Sequence, residues 1–368
     1  MNIKNKSLLI FLCIMLCGCS QKETGKIIIE APQGNTVASS YINDASEFFD
    51  NKDYNNALNS YLMAENVYSN LNYTDNIEVS GLYNMIGRCY MQLRDYNKAK
   101  DFFEKSLPIS EKLLNEQINF ENYINLMKIY NSYGKENQEL ALDYGRKAEK
   151  SALNYYGALS SELSEVYSNE GKIYSANNDY KNAEMYFNKA LKIISNLYGD
   201  NYETSAVVYD DLADMYQKQG KYEKAEEYLM KAEEIFKYNS NDYWLGVVYG
   251  DLGDVYCDKK DYESALTYYN QCLSIYNKLD NVDFDKAECQ YNMAIAHFGL
   301  KDYEECKKDF LLAHQICESM SNKSELTEKL ISKIKENLEI YYNYYYEGDR
   351  TTGFEAWYKE LISTQAVQ

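Results

Sequence analysis

Apolar and small residues follow the same helical pattern again and again between residues 38 and 320. In one copy, the first stripe consists of Tyr249, Leu252, Gly253 and Tyr256. The second stripe consists of Tyr262, Ala265, Tyr269 and Cys272. Spacings of about three, four and seven residues place each stripe on one face of an α-helix. Each copy is therefore predicted to be two antiparallel helices, with the stripe tyrosines in the core between them.

The pattern returns at a nearly constant spacing. The small residue of the first stripe recurs at Ala45, Gly87, Gly171, Ala213, Gly253 and Ala294. The tyrosine that opens the second stripe recurs at Tyr54, Tyr96, Tyr180, Tyr222, Tyr262 and Tyr303. The residue before it is Asp in every copy except Lys221, and Asp is predicted to cap the second helix. Repetition at a fixed period of this length indicates a solenoid.

This arrangement resembles the tetratricopeptide repeat (TPR), in which a large-Leu-Gly-Tyr motif is followed by Ala-Phe-Ala. The best-preserved copy has Tyr209, Leu212, Ala213 and Tyr216, then Ala225, Leu229 and Ala232. The period exceeds the usual 34 residues, and segment 197–204 resembles the linker of kinesin-light-chain-type repeats. The resemblance implies an all-α fold, a right-handed superhelical solenoid of antiparallel helix pairs, with about seven TPR-like repeats over 38–320.

The third repeat and the C-terminal region depart from the pattern. In the third repeat Ala141 comes two residues late, Gly145 replaces a bulky residue, and residues 134–137 are predicted to form a longer turn. Residues 326–346 and 351–362 are predicted to be helices outside the motif. Region 321–368 is therefore assigned to a C-terminal capping helix pair that closes the open end of the solenoid.

The first residues have the features of an export signal. Lys4 and Lys6 precede an apolar run of about a dozen residues, which is too short to span a bilayer of about 30 Å. The segment Leu16-Cys17-Gly18-Cys19 resembles the bacterial lipobox. The resemblance implies a lipoprotein signal peptide over 1–18, lipidation of Cys19, and a flexible tether over 19–37. The alternative is that Cys13, Cys17 and Cys19 are apolar residues of a first helix.

Composition narrows the possible chemistry. The chain carries 57 acidic against 38 basic residues, a net charge of −19, which argues against nucleic acid as a partner. The only histidines are His297 and His314, interpreted as core residues. The sequence has no Gly-rich phosphate loop, nucleophile elbow or HExxH motif. We therefore expect no enzyme activity, no cofactor and no metal site.

Six cysteines lie beyond the signal region: Cys89, Cys257, Cys272, Cys289, Cys306 and Cys317. None belongs to a CxxC motif, and two of them occupy positions where other repeats have Ala. We expect buried free thiols that act as small apolar residues. Because an exported location permits disulfides, a disulfide such as Cys272–Cys289 is the alternative.

Aspartates concentrate on the first helices of the fifth and sixth repeats: Asp210, Asp214, Asp254 and Asp258. The resemblance to TPR proteins places such positions on the concave groove, away from the partner helix. Like charges one helical turn apart destabilise a helix by about 0.2–0.5 kcal/mol, and a cationic ligand would remove this repulsion. We predict a partner-binding groove here, and the alternative is a solvated acidic face.

A second candidate surface is the cluster Tyr341, Tyr342, Tyr344, Tyr345 and Tyr346. Five tyrosines in six residues cover more than one face of a helix, so some are expected to be exposed. Packing within the C-terminal cap is the first interpretation, and a partner-docking patch is the alternative.

Two functions fit these features. The first is a non-enzymatic, lipid-anchored scaffold in the bacterial cell envelope, which binds a protein or peptide partner, with basic residues, on the extracytoplasmic side of a membrane. The alternative is a sensory or regulatory TPR module that acts with a separate signalling protein. Membrane attachment in both cases depends on Cys19.

Overall fold

The computed structural model describes residues 36–320, 323–348 and 350–365, and this part of the chain is all-α. Its sixteen α-helices are α1 (Thr36–Asp50), α2 (Tyr54–Asn70), α3 (Ile77–Gln92), α4 (Tyr96–Lys112), α5 (Glu116–Ser132), α6 (Gln138–Tyr155), α7 (Ser161–Ala176), α8 (Tyr180–Tyr198), α9 (Glu203–Lys218), α10 (Tyr222–Tyr238), α11 (Asp242–Asp258), α12 (Tyr262–Tyr276), α13 (Asp283–Gly299), α14 (Tyr303–Ser319), α15 (Glu325–Tyr344) and α16 (Phe354–Gln365). The helices form consecutive packed pairs, which confirms the predicted fold class. The signal peptide over 1–18 and most of the tether, including Cys19, lie outside the described residues.

The turn within each pair has the predicted capping geometry. Asp53 accepts a hydrogen bond from the backbone N–H of Asn56 at 3.2 Å, and the same bond recurs at Asp95, Asp179, Asp261 and Asp302. In each of these turns the residue directly before the capping Asp has a positive φ, as Lys52 does before Asp53. In the fifth repeat Lys221 makes no capping bond, and Gly220 adopts the left-handed conformation with φ of 71°. Gly tolerates this conformation without strain.

Small residues in the first helix of a pair make room for an aromatic ring of the second. A Cβ atom built on Gly171 would lie 2.6 Å from the Phe187 ring, and one on Gly253 would lie 2.4 Å from the Tyr269 ring. Contacts below 3.0 Å are not tolerated. The helices can therefore pack this closely only because these positions lack a side chain, as the pattern predicts.

The tyrosines of the first stripe are less buried than expected. Tyr174 and Tyr256, for example, are partly exposed and stack on Tyr186 and Tyr268 of the second helix. Their hydroxyl groups are the reason, because a buried hydroxyl needs a hydrogen-bond partner. At Tyr256 the hydroxyl donates to Glu226 of the preceding repeat at 2.7 Å. These tyrosines join successive repeats at the border of the core.

The helices group into two compact units, one ending at Val208 and one beginning at Tyr209. Unit 1 contains the irregular third repeat, whose longer turn is confirmed by a 3₁₀ helix at Lys135–Asn137 after Gly134, with φ of 99°. Unit 2 ends in α15, which packs on α13 and α14, and α16, which packs on α14 and α15. These helices begin and end within a few residues of the predicted ones.

Candidate partner-binding surfaces

Asp254 is buried within unit 2 instead of facing a groove. It is 2% exposed and its Oδ1 accepts hydrogen bonds from the Tyr269 hydroxyl at 2.5 Å and from Asn292 Nδ2 at 3.1 Å. Tyr269 belongs to the partner helix, so the expectation that Asp254 points away from that helix is wrong. Phe187 occupies the corresponding position in an earlier repeat. Because Tyr adds a buried hydroxyl there, a nearby acceptor is required.

Asp210 is also only 2% exposed, and it interacts with Asp251. Asp251 is partly exposed, although protein atoms surround its carboxyl group on most sides. Burial raises the pKa of Asp251 well above its usual range, and the charges of Asp210 and Asp254 raise that pKa further. Asp210 and Asp251 together therefore hold a proton at a pH at which two isolated carboxylates would hold none. Sequence analysis missed Asp251, although it lies one helical turn before Asp254.

The other two predicted aspartates are partly exposed and have cationic or amide neighbours. Asp214 forms an ion pair with Lys218 one turn further along α9. Asp258 Oδ2 accepts a hydrogen bond from Gln217 Nε2 at 2.8 Å, which joins α11 to α9. The predicted set thus divides into two buried and two accessible carboxylates. Asp214 and Asp258 are the accessible carboxylates, and we call them the aspartate surface; Asp251 lies near them with its Oδ2 buried.

Unit 1 has a different set of charges on its first helices. Lys128 Nζ of α5 pairs with Glu165 Oε1 of α7 at 2.5 Å. Burial raises the pKa of Glu121, while Arg88 and Lys128 oppose this shift. Acidic and basic groups therefore alternate from α3 to α7. Sequence analysis missed this mixed surface because no single charge type recurs along it.

The tyrosine cluster at the end of α15 packs mainly inside the cap. Tyr341 and Tyr342 are buried and their rings pack against Trp357 of α16. Tyr345 stacks on Tyr303 with ring centroids 4.0 Å apart. Tyr344 differs from these, with 75% of its surface exposed. Tyr346 is partly buried and its ring lies 5.3 Å from that of Trp357.

The thiols and imidazoles sit in the core, as predicted. All six cysteines beyond the signal region are buried and free, and burial raises the pKa of Cys89 to about 12. His297 Nδ1 lies 2.7 Å from Asp309 Oδ2, and Asp309 Oδ1 accepts a hydrogen bond from Gln290 Nε2 at 2.6 Å. Among the described residues, no cluster of His, Cys, Asp or Glu could hold a metal ion. Nor does any helix within 36–365 have the length and apolar character needed to cross a membrane.

Similar structures share the fold at low sequence identity. A peptide-bound sensor, NprR in complex with its cognate peptide NprX, is 16% identical, with a TM-score of 0.54 and 89% of each chain covered. A tetratricopeptide repeat protein from Parabacteroides merdae is 16% identical, with a TM-score of 0.53, covering 81% of this chain and 98% of that one. A signal transduction ATPase with a tetratricopeptide repeat sensor from Pyrococcus horikoshii is 23% identical, with a TM-score of 0.55, covering 82% of this chain and 44% of that one. These identities establish likeness of fold alone.

Family models match three stretches of the sequence, and both models describe the tetratricopeptide repeat. One matches residues 162–237, and the other matches residues 80–112 and 247–279. No curated protein matches the sequence significantly. The matched stretches include α3 and α4, α7 to α10, and α11 and α12, all of which are helix pairs of the predicted kind. Residues 80–112, 162–237 and 247–279 of this chain therefore match the tetratricopeptide repeat.

Proposed function

We propose that the protein is a non-enzymatic scaffold that binds a protein or peptide partner through the first helices of its repeats. In this proposal Cys19 carries a lipid anchor that holds the scaffold on the extracytoplasmic side of a bacterial membrane. The observation that carries the choice of partner is the aspartate surface of unit 2. Its charges favour a partner that presents Lys or Arg side chains.

The electrostatics of unit 2 support this choice. Asp251 lies close enough to Asp210 and Asp254 for their charges to raise its pKa. A Lys or Arg side chain from a partner would lower that pKa again and release the bound proton, because opposite charge favours the carboxylate. A partner cation docked within about 10 Å of the accessible carboxylates would not be fully screened from them by salt at 0.1 M. Binding should therefore weaken with salt and strengthen as Asp251 ionises.

A titration with oligolysine tests the aspartate surface directly. The variant Asp214→Asn, Asp258→Asn removes the accessible carboxylates, and we expect it to bind oligolysine several-fold more weakly with a reduced salt dependence. Oligoglutamate of the same length should not bind either protein. The buried residues Asp210 and Asp254 stay unchanged, because Asp254 accepts the hydrogen bond of the Tyr269 hydroxyl and Asp210 interacts with Asp251.

The matched control removes two charges elsewhere in unit 2. Glu223 and Glu263 are exposed residues of α10 and α12, and their replacement by Gln makes the same change in net charge. We expect this variant to bind oligolysine nearly as well as the wild type. Equal losses in the two variants would mean that only net charge matters, and the aspartate surface would lose its assigned role.

Anchoring at Cys19 has a separate test. Cys19→Ser removes the thiol that would be acylated, so we expect the variant to move from the membrane fraction to the soluble fraction. Durable attachment requires more than one acyl chain, which the lipobox resemblance implies. A variant that still sediments with membranes after a high-salt wash would contradict the proposed anchor.

The second candidate function is a sensory module that acts with a separate signalling protein. The mixed-charge surface of unit 1 favours it, since Arg88, Glu121 and Lys128 offer charges of both signs to the termini and side chains of a free peptide. NprR, one of the similar structures, was solved with its cognate peptide. Crosslinking in intact cells separates the two functions. A captured envelope protein supports the scaffold, and a captured short peptide supports the sensor.

A further inference from the structure

Exposed apolar side chains of unit 1 gather at one edge. They belong to the ends of second helices, the linkers that follow, and the start of α1: Val37, Leu71, Leu113, Leu114, Leu153, Tyr155, Leu159 and Tyr198. We call this the linker edge. In a series of antiparallel pairs, every second helix ends where the next first helix begins, so these segments share one side of the unit.

Side-chain contacts confirm that successive linkers are neighbours. Lys112, at the end of α4, forms an ion pair with Asp75 in the linker before α3. Tyr155, at the end of α6, donates a hydrogen bond to Gln117 in the first turn of α5 at 3.3 Å. Asn154 bonds Glu116 at 3.2 Å. The apolar residues carried by these linkers therefore form a continuous strip.

The apolar side chains of the strip are strongly exposed, whereas the exposed side chains at the opposite edge of unit 1 are polar. Leu114 is 82% exposed, and Leu71, Tyr155 and Leu159 are each more than half exposed. At the opposite edge, where the two helices of each pair are joined, the exposed residues are polar ones such as Lys52, Lys135, Glu136 and Asn178. Since the two edges have similar backbone geometry, the difference lies in the side chains. Exposed apolar residues in a contiguous patch usually mark a contact surface.

The position of the chain's N-terminal end indicates what covers the strip. Thr36 begins α1, and α1 runs antiparallel to α2, so Thr36 lies beside the end of α2 and Leu71. Cys19 is 17 residues before Thr36, and that length of chain spans at most about 55 Å. A lipid on Cys19 would therefore hold the linker edge, more than any other side of unit 1, next to the bilayer.

We propose that the linker edge of unit 1 lies on the lipid surface and inserts Leu71, Leu114, Tyr155 and Leu159 among the headgroups. This inference rests on the proposed anchoring at Cys19. Leu and Tyr suit the boundary between headgroups and acyl chains, where apolar area is removed from water and a hydroxyl group stays hydrated. A net charge of −19 favours zwitterionic over anionic lipid. The tether makes a weak contact effective by keeping the edge at a high local concentration near the membrane.

Fluorescent labels at single positions test the contact. Because the six cysteines in the described part of the chain are buried, a thiol-reactive environment-sensitive dye can be directed to one introduced cysteine of the lipidated protein. We compare Leu114→Cys and Leu159→Cys with Met63→Cys and Met185→Cys, which are exposed apolar positions on second helices away from the linker edge. The protein is attached to phosphatidylcholine vesicles that contain a nitroxide-labelled lipid.

We expect several-fold quenching of the dye at positions 114 and 159, and little at 63 and 185. Adding Leu71→Ser and Tyr155→Ser should reduce quenching at position 114, while adding Leu140→Ser should not. Vesicles of phosphatidylglycerol should give weaker quenching than phosphatidylcholine because the chain is acidic.

Failure of the contact and failure of the anchor give different results. If the protein floats with the vesicles but all four dyes are quenched equally little, the linker edge does not touch lipid and the inference is wrong. If the dye at position 114 becomes shielded without vesicles as protein concentration rises, a second copy covers the edge, which also overturns it. If the protein does not float, the anchoring at Cys19 fails and this inference fails with it.

Discussion

Glu170 occupies a position where most of the other repeats have an apolar residue, and its replacement gives the sharpest test of the fold. It precedes the small residue Gly171, as Leu252 precedes Gly253 in the sixth repeat. Glu170 is 2% exposed, and no described residue donates a hydrogen bond to its Oε2. Gly145 leaves the space it needs, since a Cβ atom there would lie 3.2 Å from Glu170 Oε1. A buried carboxyl group of the fourth repeat thus replaces apolar packing against Gly145 of the irregular third repeat.

The raised pKa of Glu170 should make the protein less stable as pH rises. Burial and, to a smaller extent, the charge of Glu149 raise the pKa of Glu170 from 4.5 to about 8, while Lys189 and Arg146 oppose the shift. The folded state therefore keeps a proton that the unfolded state releases above pH 4.5, and the free energy of unfolding falls between pH 4.5 and about 8. The loss is about 3 kcal/mol by pH 7, and about 5 kcal/mol at still higher pH.

The variant Glu170→Leu restores the apolar residue of the repeat and removes this loss. We expect its free energy of unfolding to exceed that of the wild type by about 3 kcal/mol at pH 7, and by about 1 kcal/mol at pH 5. Urea unfolding followed by far-ultraviolet circular dichroism measures both values. Glu170→Gln retains the shape but cannot ionise, so it should flatten the pH dependence with a smaller gain in stability.

An exposed carboxylate provides the matched control for this series. Asp101 on α4 is exposed, and Asp101→Asn should leave the pH dependence of unfolding as it is in the wild type. Other buried carboxyl groups, Asp251 and Asp309 among them, have raised pKa values and contribute in the same direction. The difference between the wild type and Glu170→Leu isolates Glu170. Parallel pH profiles for the two proteins would refute the reasoning.

Two further predictions concern the core. Ala225 is completely buried, so Ala225→Leu should overpack the fifth repeat and cost about 1–3 kcal/mol; thermal unfolding indistinguishable from that of the exposed control Met230→Leu would contradict the assigned repeat positions. All six thiols are buried, and burial raises the pKa of Cys306 and Cys317 to about 12, so a disulfide reagent should label none of the six in the native protein and all six after unfolding. A count of four after unfolding would indicate the alternative disulfide Cys272–Cys289.

The repeat architecture could be predicted from the sequence because it depends on local features that recur. An Asp that caps a helix, as Asp53 does, acts within three residues of itself. A small residue such as Gly253 opposite an aromatic residue such as Tyr269 depends on helical spacing and on one contact between adjacent helices. Copies of the same features about 40 residues apart reinforce each other, so that even the degenerate third repeat could be placed.

The character of the candidate sites was decided by tertiary packing. Four aspartates look equivalent in the sequence, but Asp254 is buried because Tyr269 needs an acceptor, while Asp214 stays accessible beside Lys218. The difference in burial between Asp254 and Asp214 therefore depends on a hydrogen-bond partner on another helix and not on the position of each aspartate in its own helix. The mixed charges of unit 1 come together only when α3, α5 and α7 pack side by side.

The linker edge shows the same limit of sequence reasoning. Leu71, Leu114 and Leu159 lie in three separate linkers, about 40 residues apart, and each alone looks like an ordinary apolar residue. Their spacing carries no helical pattern, because linkers have none. The sequence alone determined that these segments join helix pairs. Only the stacking of the pairs decided that their side chains stay exposed and form one strip, because burial depends on what the neighbouring repeats cover.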